Sequence, residues 1–196
     1  MSLAISSSAL LALTPMNILV IGGGAMGQAF LSGLAYSQKD ARACVIEHNP
    51  QNASICEKQG FEVFAHVKDA STKVGSDNFD VCIIAVKPID VPEIAKDVVD
   101  NLTPKTLIVS IAAGISIESL SEMLNDFPIV RAMPNIAASQ RLSATAMSCS
   151  AELTEHQEMR ARLVLEALGT VVRVNEENMN TVTAVSGSGP AYIFLI

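Results

Sequence analysis

Residues 17–34 read NILVIGGGAMGQAFLSGL, and the meaning of the glycines decides the fold. An apolar run over residues 18–21 arrives at Gly22, Gly23 and Gly24, and an apolar-rich stretch leaves after Gly27. The spacing Gly22-x-Gly24-x-x-Gly27 fits a dinucleotide fingerprint, and it also fits a flexible turn between two buried elements. Glycine is common in turns, so the surrounding pattern has to choose.

Outward from that stretch, short β-branched runs alternate with longer helical patterns. After the first strand and the helix AMGQAFLSGLAYS come a strand, ACVIE, and a helix, NPQNASICEKQG, closed by Gly60. FEVFA is short and strand-like. VCIIAV is a continuous apolar run, as expected of a parallel strand covered on both faces. VPEIAKDVVDNL is helical with Pro92 in its first turn, and TLIVSIA is another buried strand. SIESLSEMLND begins with Ser116 as an N-cap but lacks a true capping box. IVRAM and ATAMSCS follow as strands, then a helix from Thr154 to a stop at Gly169, then the strand TVVRV.

Strand, helix and strand in repeated succession predict an α/β fold with a mainly parallel sheet and right-handed crossovers. Beyond residue 174 the patterns are helical with no further strand, which places a boundary near Asn175. The expected organisation is a leader over residues 1–15, a sheet domain over 16–174 and the start of a helical domain over 175–196. The leader MSLAISSSALLALTP lacks the positive n-region of a secretory signal.

The fingerprint therefore closes the first strand and opens the first helix of a βαβ unit. In that setting Gly22 allows the tight turn, Gly24 lets the backbone approach a pyrophosphate, and Gly27 lets helix and strand pack closely. The pyrophosphate sits on the helix N-terminus, where free N–H groups and the dipole favour an anion. Gly23 is not demanded by the pattern. Glu47 ends the second strand, where an acidic group hydrogen-bonds an adenosine ribose. A carboxylate there repels a 2′-phosphate and favours NADH, whereas His48 and Asn49 beside it are able to donate to one and would admit NADPH. A solvated strand-end charge is the plain alternative for Glu47.

Composition narrows the rest. Apolar residues make up 49% and charged residues 17%, which fits a globular chain with a large core. A net charge of −7 with no basic stripe argues against nucleic acid as the main partner. Cys44, Cys56, Cys82 and Cys149 are scattered and read as reduced core thiols of a cytoplasmic protein. His48, His66 and His156 show no metal-ligand spacing, so no metal is expected. No run reaches the ~18 apolar residues of a membrane span.

Four later stretches, AVKP at 85–88, VSIAAGIS at 109–116, RAMPN at 131–135 and AVSGSGPAY at 184–192, follow the fingerprint in register. Together the chain resembles the pyrroline-5-carboxylate reductase family from residue 16 to its end. The resemblance implies hydride transfer from NADH or NADPH to the C=N carbon of 1-pyrroline-5-carboxylate, giving L-proline. It places cofactor contacts at Ile21, Gly22, Gly23, Gly24, Ala25, Met26, Gly27, Glu47 and Asn49, in the loop Ala85, Val86, Lys87 and Pro88, and at Ile111, Ala112 and Ala113. It places Met133, Pro134 and Asn135 at the substrate cleft. It also implies a homodimer or higher homo-oligomer built on helices that open at Pro190, and it marks the chain as a piece of a longer enzyme.

Several residues keep two readings. Lys87 is either a cation near the cofactor or a solvated loop lysine. Arg131 is either a carboxylate anchor or half of a structural ion pair, and Asn135 is either a ligand contact or a turn former. No catalytic side chain is singled out, because a protonated imine is already an electrophile. The family commonly has Thr-Pro after RAMPN and a glycine further on, where this chain has Ile136, Ala137 and Ser143. The rivals are a related imine or β-hydroxyacid dehydrogenase and a non-catalytic dinucleotide-binding module.

Overall fold

The computed structural model describes residues 15–38, 40–187 and 189. An eight-stranded sheet runs in the order β3-β2-β1-β4-β5-β6-β7-β8. Its strands are β1 (Asn17–Ile21), β2 (Arg42–Ile46), β3 (Glu62–Phe64), β4 (Val81–Ile84), β5 (Leu107–Ser110), β6 (Ile129–Met133), β7 (Ser143–Cys149) and β8 (Gly169–Arg173). Every neighbouring pair is parallel except β6 and β7, which run antiparallel.

Helices α1 (Ala25–Ser37), α2 (Pro50–Lys58), α3 (Val67–Val74), α4 (Val91–Asn101), α5 (Ile117–Leu124) and α6 (Glu155–Glu166) cover the sheet. Side chains alternate between the two faces of a strand. Ile18 and Val20 therefore join a core with Phe30, Leu31 and Leu34 of α1 and with Val164 and Leu165 of α6. Leu19 and Ile21 join a second core with Val67 of α3, Val91 and Val98 of α4, and Leu120 of α5. Both faces are buried, which is why the central strands read as unbroken apolar runs. Residues 18–21 and 81–84 are at most 1% exposed, and each such side chain contributes roughly 1.5–3 kcal/mol by burial.

Several features depart from the sequence reading. Residues 67–74 form α3, an element with no strong signal of its own, because VKDASTKV is short and polar and buries only Val67 and Ala70. Between β6 and β7 there is no crossover helix but a 3-10 turn, Ile136–Gln140, and the chain reverses direction. Thr154, where the sequence starts this helix, is its N-cap, and Thr154 and Gln157 form a reciprocal capping box. That helix ends at Glu166, and Gly169 opens β8 instead of closing the helix.

After β8 come a 3-10 turn (Glu176–Asn178), a short helix α7 (Met179–Val182) and a π-helical turn (Thr183–Gly187). Met179 packs this segment onto Met133 of β6 and Ala146 of β7. The helix start expected at Pro190, and residues 1–14 of the expected leader, lie outside the described residues.

Candidate functional site

The carboxyl ends of β1, β2 and β4 frame a cleft of about 490 Å³. Its floor is the glycine turn. Gly22 has φ +104, and a side chain there would bring its Cβ within 2.6 Å of the Ala85 carbonyl oxygen. A Cβ at Gly27 would lie 1.8 Å from the Gly22 carbonyl oxygen, so the helix can approach the turn only because that position is bare.

Gly23 proves to be a working part of the turn, contrary to the reading of it as surplus to the pattern. Its N–H donates to Glu47 Oε2 at 2.8 Å, and a Cβ would press on Cys56 Sγ and Glu47 Oε2, both at 3.1 Å. Gly24 differs from the rest: it is the N-cap of α1, no side chain caps the helix, and an added Cβ would meet nothing within 4 Å. The first-turn amides of α1, which include Ala25 and Met26, lack intrahelical acceptors. An uncapped helix N-terminus opening on a cleft is suited to an anion.

Glu47 is held from three sides. Its Oε1 accepts from the Asn49 N–H at 2.6 Å, and its Oε2 accepts from Asn52 Nδ2 at 3.3 Å in addition to Gly23. Asn49 in turn caps α2, its Oδ1 accepting from the Gln51 N–H at 2.9 Å. His48 Nε2 contacts the Ala65 carbonyl oxygen, and its ring lies 5.5 Å from that of His66. Behind the turn, burial and then the Glu47 charge push the Cys56 thiol up from its ordinary value.

Of the residues expected to contact a cofactor, Ile21, Gly22, Gly24, Glu47, Asn49, Ala85, Val86 and Lys87 line this cleft. Gly23 and Gly27 are buried beneath it, and Pro88 is exposed at the start of a 3-10 turn beside it. Ile111, Ala112 and Ala113 follow β5 on the same edge of the sheet without lining the cleft. Sequence reasoning missed Ile46, Asn52, Asp90, Glu93 and Ile94. Asp90, Glu93 and Ile94 enter because the AVKP loop turns straight into α4, a geometry that the motif alone does not reveal.

Met133 ends β6 and Pro134 and Asn135 follow it, two strands from β4, which is about 10 Å across the sheet. Asn135 is a turn former: its Oδ1 accepts from the Ala137 N–H at 3.1 Å. Its Nδ2 also donates to Ser186 Oγ at 3.3 Å. Ser143 has a structural role here, since its hydroxyl accepts from the Asn135 N–H at 3.1 Å and pairs with Thr145 Oγ1 at 3.0 Å. Ile136 is exposed. Arg131 is not an open anchor. It is 2% exposed and forms an ion pair with Glu176 at 2.6 Å.

Among the described residues no three His, Cys, Asp or Glu side chains group to hold a metal. No helix among them is long and apolar enough to cross a membrane.

A sheet whose first six strands run 3-2-1-4-5-6, with a glycine turn leading into an uncapped helix, defines a dinucleotide-binding domain of the Rossmann type. Residues 17–114, half of the chain, match the family described as "NADP oxidoreductase coenzyme F420-dependent". The pyrroline-5-carboxylate reductase of Mycobacterium leprae (strain TN) is 36% identical over 187 residues, which cover 92% of this chain and 62% of that relative. That of Aquifex aeolicus (strain VF5) is 34% identical, over 91% of this chain and 65% of its own. The solved pyrroline-5-carboxylate reductase from Coxiella burnetii superposes with a TM-score of 0.82 at 32% identity, over 93% of this chain and 67% of that one. The chain belongs to the pyrroline-5-carboxylate reductase family. It spans 62% of the length of the M. leprae relative.

Proposed function

We propose that this chain binds NADH or NADPH in the cleft between β1, β2 and β4 and takes part in reducing 1-pyrroline-5-carboxylate to L-proline. The observation that carries the reading is the open, uncapped α1 N-terminus at Gly24 in a chain of this family. The family description of residues 17–114 as an NADP oxidoreductase supports the dinucleotide.

The bound dinucleotide supplies the hydride. The chain supplies placement. The α1 amides hold the pyrophosphate, Gly24 gives it room, and Glu47, fixed by Gly23, Asn49 and Asn52, faces the ribose beyond the end of β2. Lys87 provides a cation on the opposite wall, next to the carboxylates of Asp90 and Glu93. Met133, Pro134 and Asn135 offer the adjoining stretch of edge for the imine. Holding the two reactants in line accounts for most of the rate that a protein adds to such a transfer.

In the same reading residues 16–174 form the dinucleotide-binding domain, and residues from 175 onward open a helical domain through which copies associate. The free, buried Cys44, Cys56 and Cys82 support a reducing, cytoplasmic setting.

Calorimetric titration with NADH and NADPH, followed by an assay of dinucleotide oxidation on 1-pyrroline-5-carboxylate, tests the proposal. Binding of neither dinucleotide sinks it. Binding without turnover favours the second reading, a dinucleotide-binding module. Sedimentation of the same preparation tests self-association.

A further inference from the structure

Across the sheet, Arg131 on β6 has Ser110 of β5 and Ser148 of β7 as its neighbours in register. All three are buried, at 2%, 0% and 3% exposure. Aliphatic side chains fill most of the rest of the sheet, so a Ser–Arg–Ser row is a break in the pattern. The two small serines give the guanidinium room to reach outward. Its Nη1 donates to Glu176 Oε1 at 2.6 Å and its Nη2 to Asn180 Oδ1 at 3.2 Å. The same Glu176 oxygen accepts from the N–H of Ile117, the first residue of α5, at 3.1 Å. One carboxylate thus ties β6, α5 and the segment after β8 together.

From that point the segment climbs towards the carboxyl edge. Met179 packs on Met133 and Ala146, with Val174 and Val182 alongside. At the edge Ser186 accepts from Asn135 Nδ2 at 3.3 Å, within a π-helical turn, a form that recurs at functional sites. Asn135 stands four residues beyond Arg131, about 13 Å along the strand direction. The segment is therefore pinned by polar contacts at both ends with an apolar seat between.

We propose that Arg131 is a positioning residue for the substrate cleft. Clamped on Glu176 and Asn180, it sets the register of residues 176–187 on β6 and so places Ser186 against Asn135. This rests on the reading of Met133, Pro134 and Asn135 as the imine-facing edge. The pair is buried on one side only, with Arg131 at 2% and the Glu176 side chain at 33% exposure; such a pair is a weak source of net stability compared with apolar side chains of similar size, but its directional bonds select one arrangement. The guanidinium lies below the edge with Nη1 and Nη2 bound to Glu176 and Asn180 and only the buried Nε without a partner among the described residues, so it acts through the segment and not on the reacting atoms.

The test compares the 196-residue protein with Arg131→Lys and with the double variant Arg131→Met, Glu176→Leu, which leaves no unpaired buried charge. The dinucleotide cleft is remote from the clamp, so Kd for NADH and NADPH should stay within about twofold in both variants. Amide exchange over residues 179–187 should speed up about tenfold or more in the double variant. In Arg131→Lys it should do so mainly near Asn180, since an ammonium cannot reproduce the two-armed fork. Turnover of 1-pyrroline-5-carboxylate should fall about tenfold in kcat with the dinucleotide KM unchanged, and Arg131→Lys should recover part of it. Unchanged exchange over 179–187, or a matching loss of dinucleotide affinity, overturns the proposal. A parent protein that binds dinucleotide but turns over no imine defeats the catalytic reading alone, and the exchange and affinity measurements still decide the role of Arg131. If the double variant does not fold, Arg131→Lys carries the same comparison.

Discussion

Replacing Gly24 with valine should separate ligand binding from folding. Gly24 has φ −69 and ψ −172, extended backbone open to any residue, and an added Cβ would meet nothing within 4 Å. Folding loses the N-cap preference of glycine over valine, roughly 0.5–1 kcal/mol, and regains about 0.4–1 kcal/mol from the stiffer unfolded chain. The two nearly cancel. Binding has no such offset, because the valine methyl groups occupy the space that the α1 amides face. Two charge-assisted hydrogen bonds at about 1.5 kcal/mol each, with about 0.5 kcal/mol from the helix dipole, amount to about 3.5 kcal/mol. That corresponds to a roughly 300-fold weaker Kd. Calorimetric titration with both dinucleotides, beside thermal unfolding of the same samples, reads both quantities. A folded Gly24→Val protein that binds within about threefold of the parent would refute the placement of the phosphates at this helix. Gly27→Ala is the opposite control: its Cβ would fall 1.8 Å from the Gly22 carbonyl oxygen. It should cost about 3 kcal/mol of stability or more whether or not ligand is present.

Glu47→Ser should shift preference towards NADPH by about tenfold, since one like-charge repulsion worth about 1–2 kcal/mol at a partly solvated site is removed. Equal changes for NADH and NADPH would show that the carboxylate serves only to brace Gly23 and Asn49. Ser143→Ala should destabilise the fold by about 1–2 kcal/mol in urea denaturation, because the Asn135 N–H loses its acceptor; no change would mean that the turn finds another partner. Burial pushes the Cys44 thiol from 9.0 up to about 12. The unfolded chain therefore ionises first, and this contribution is complete below pH 9 and lost as pH rises towards 12. Denaturation at stepped alkaline pH should show the parent losing up to ~1.4 kcal/mol per pH unit more than Cys44→Ala. Parallel curves would contradict the burial of that thiol.

The sheet was legible because its central strands are buried on both faces and say so in unbroken apolar runs: VCII and LIVS need no alternation to be recognised. The glycine turn was legible because Gly22 and Gly27 answer to backbone sterics that no other residue satisfies. What stayed hidden depends on side chains meeting across long separations. Glu47 and Gly23 are 24 residues apart, and Arg131 and Glu176 are 45 apart. Neither spacing carries a period or motif, so Gly23 looked spare and Arg131 kept two readings. Helix α3 escaped for a local reason. Its buried positions Val67 and Ala70 are too few to stand out in a polar octapeptide.

The reversal at β6 also bears on where a second ligand can lie. A further parallel strand would need a crossover of a dozen or more residues leaving from the carboxyl edge, commonly a helix packed over the next strand. The antiparallel return needs only the turn Ile136–Gln140, which Asn135 caps from the end of β6. No crossover helix therefore starts at Met133, Pro134 and Asn135, and the edge there is left for the segment that comes back after β8. That strand runs opposite to β6 and so heads away from the carboxyl edge, ending level with the penultimate residue of β6: Arg173 pairs with Met147, and Met147 with Ala132. The chain then has to climb from Glu176 to Ser186 to regain the edge, and the Arg131 clamp sits where that climb begins. The proposed dinucleotide cleft and the proposed imine-facing edge thus follow from one topology. The first is set where parallel crossovers diverge on either side of β1, and the second where the crossovers stop.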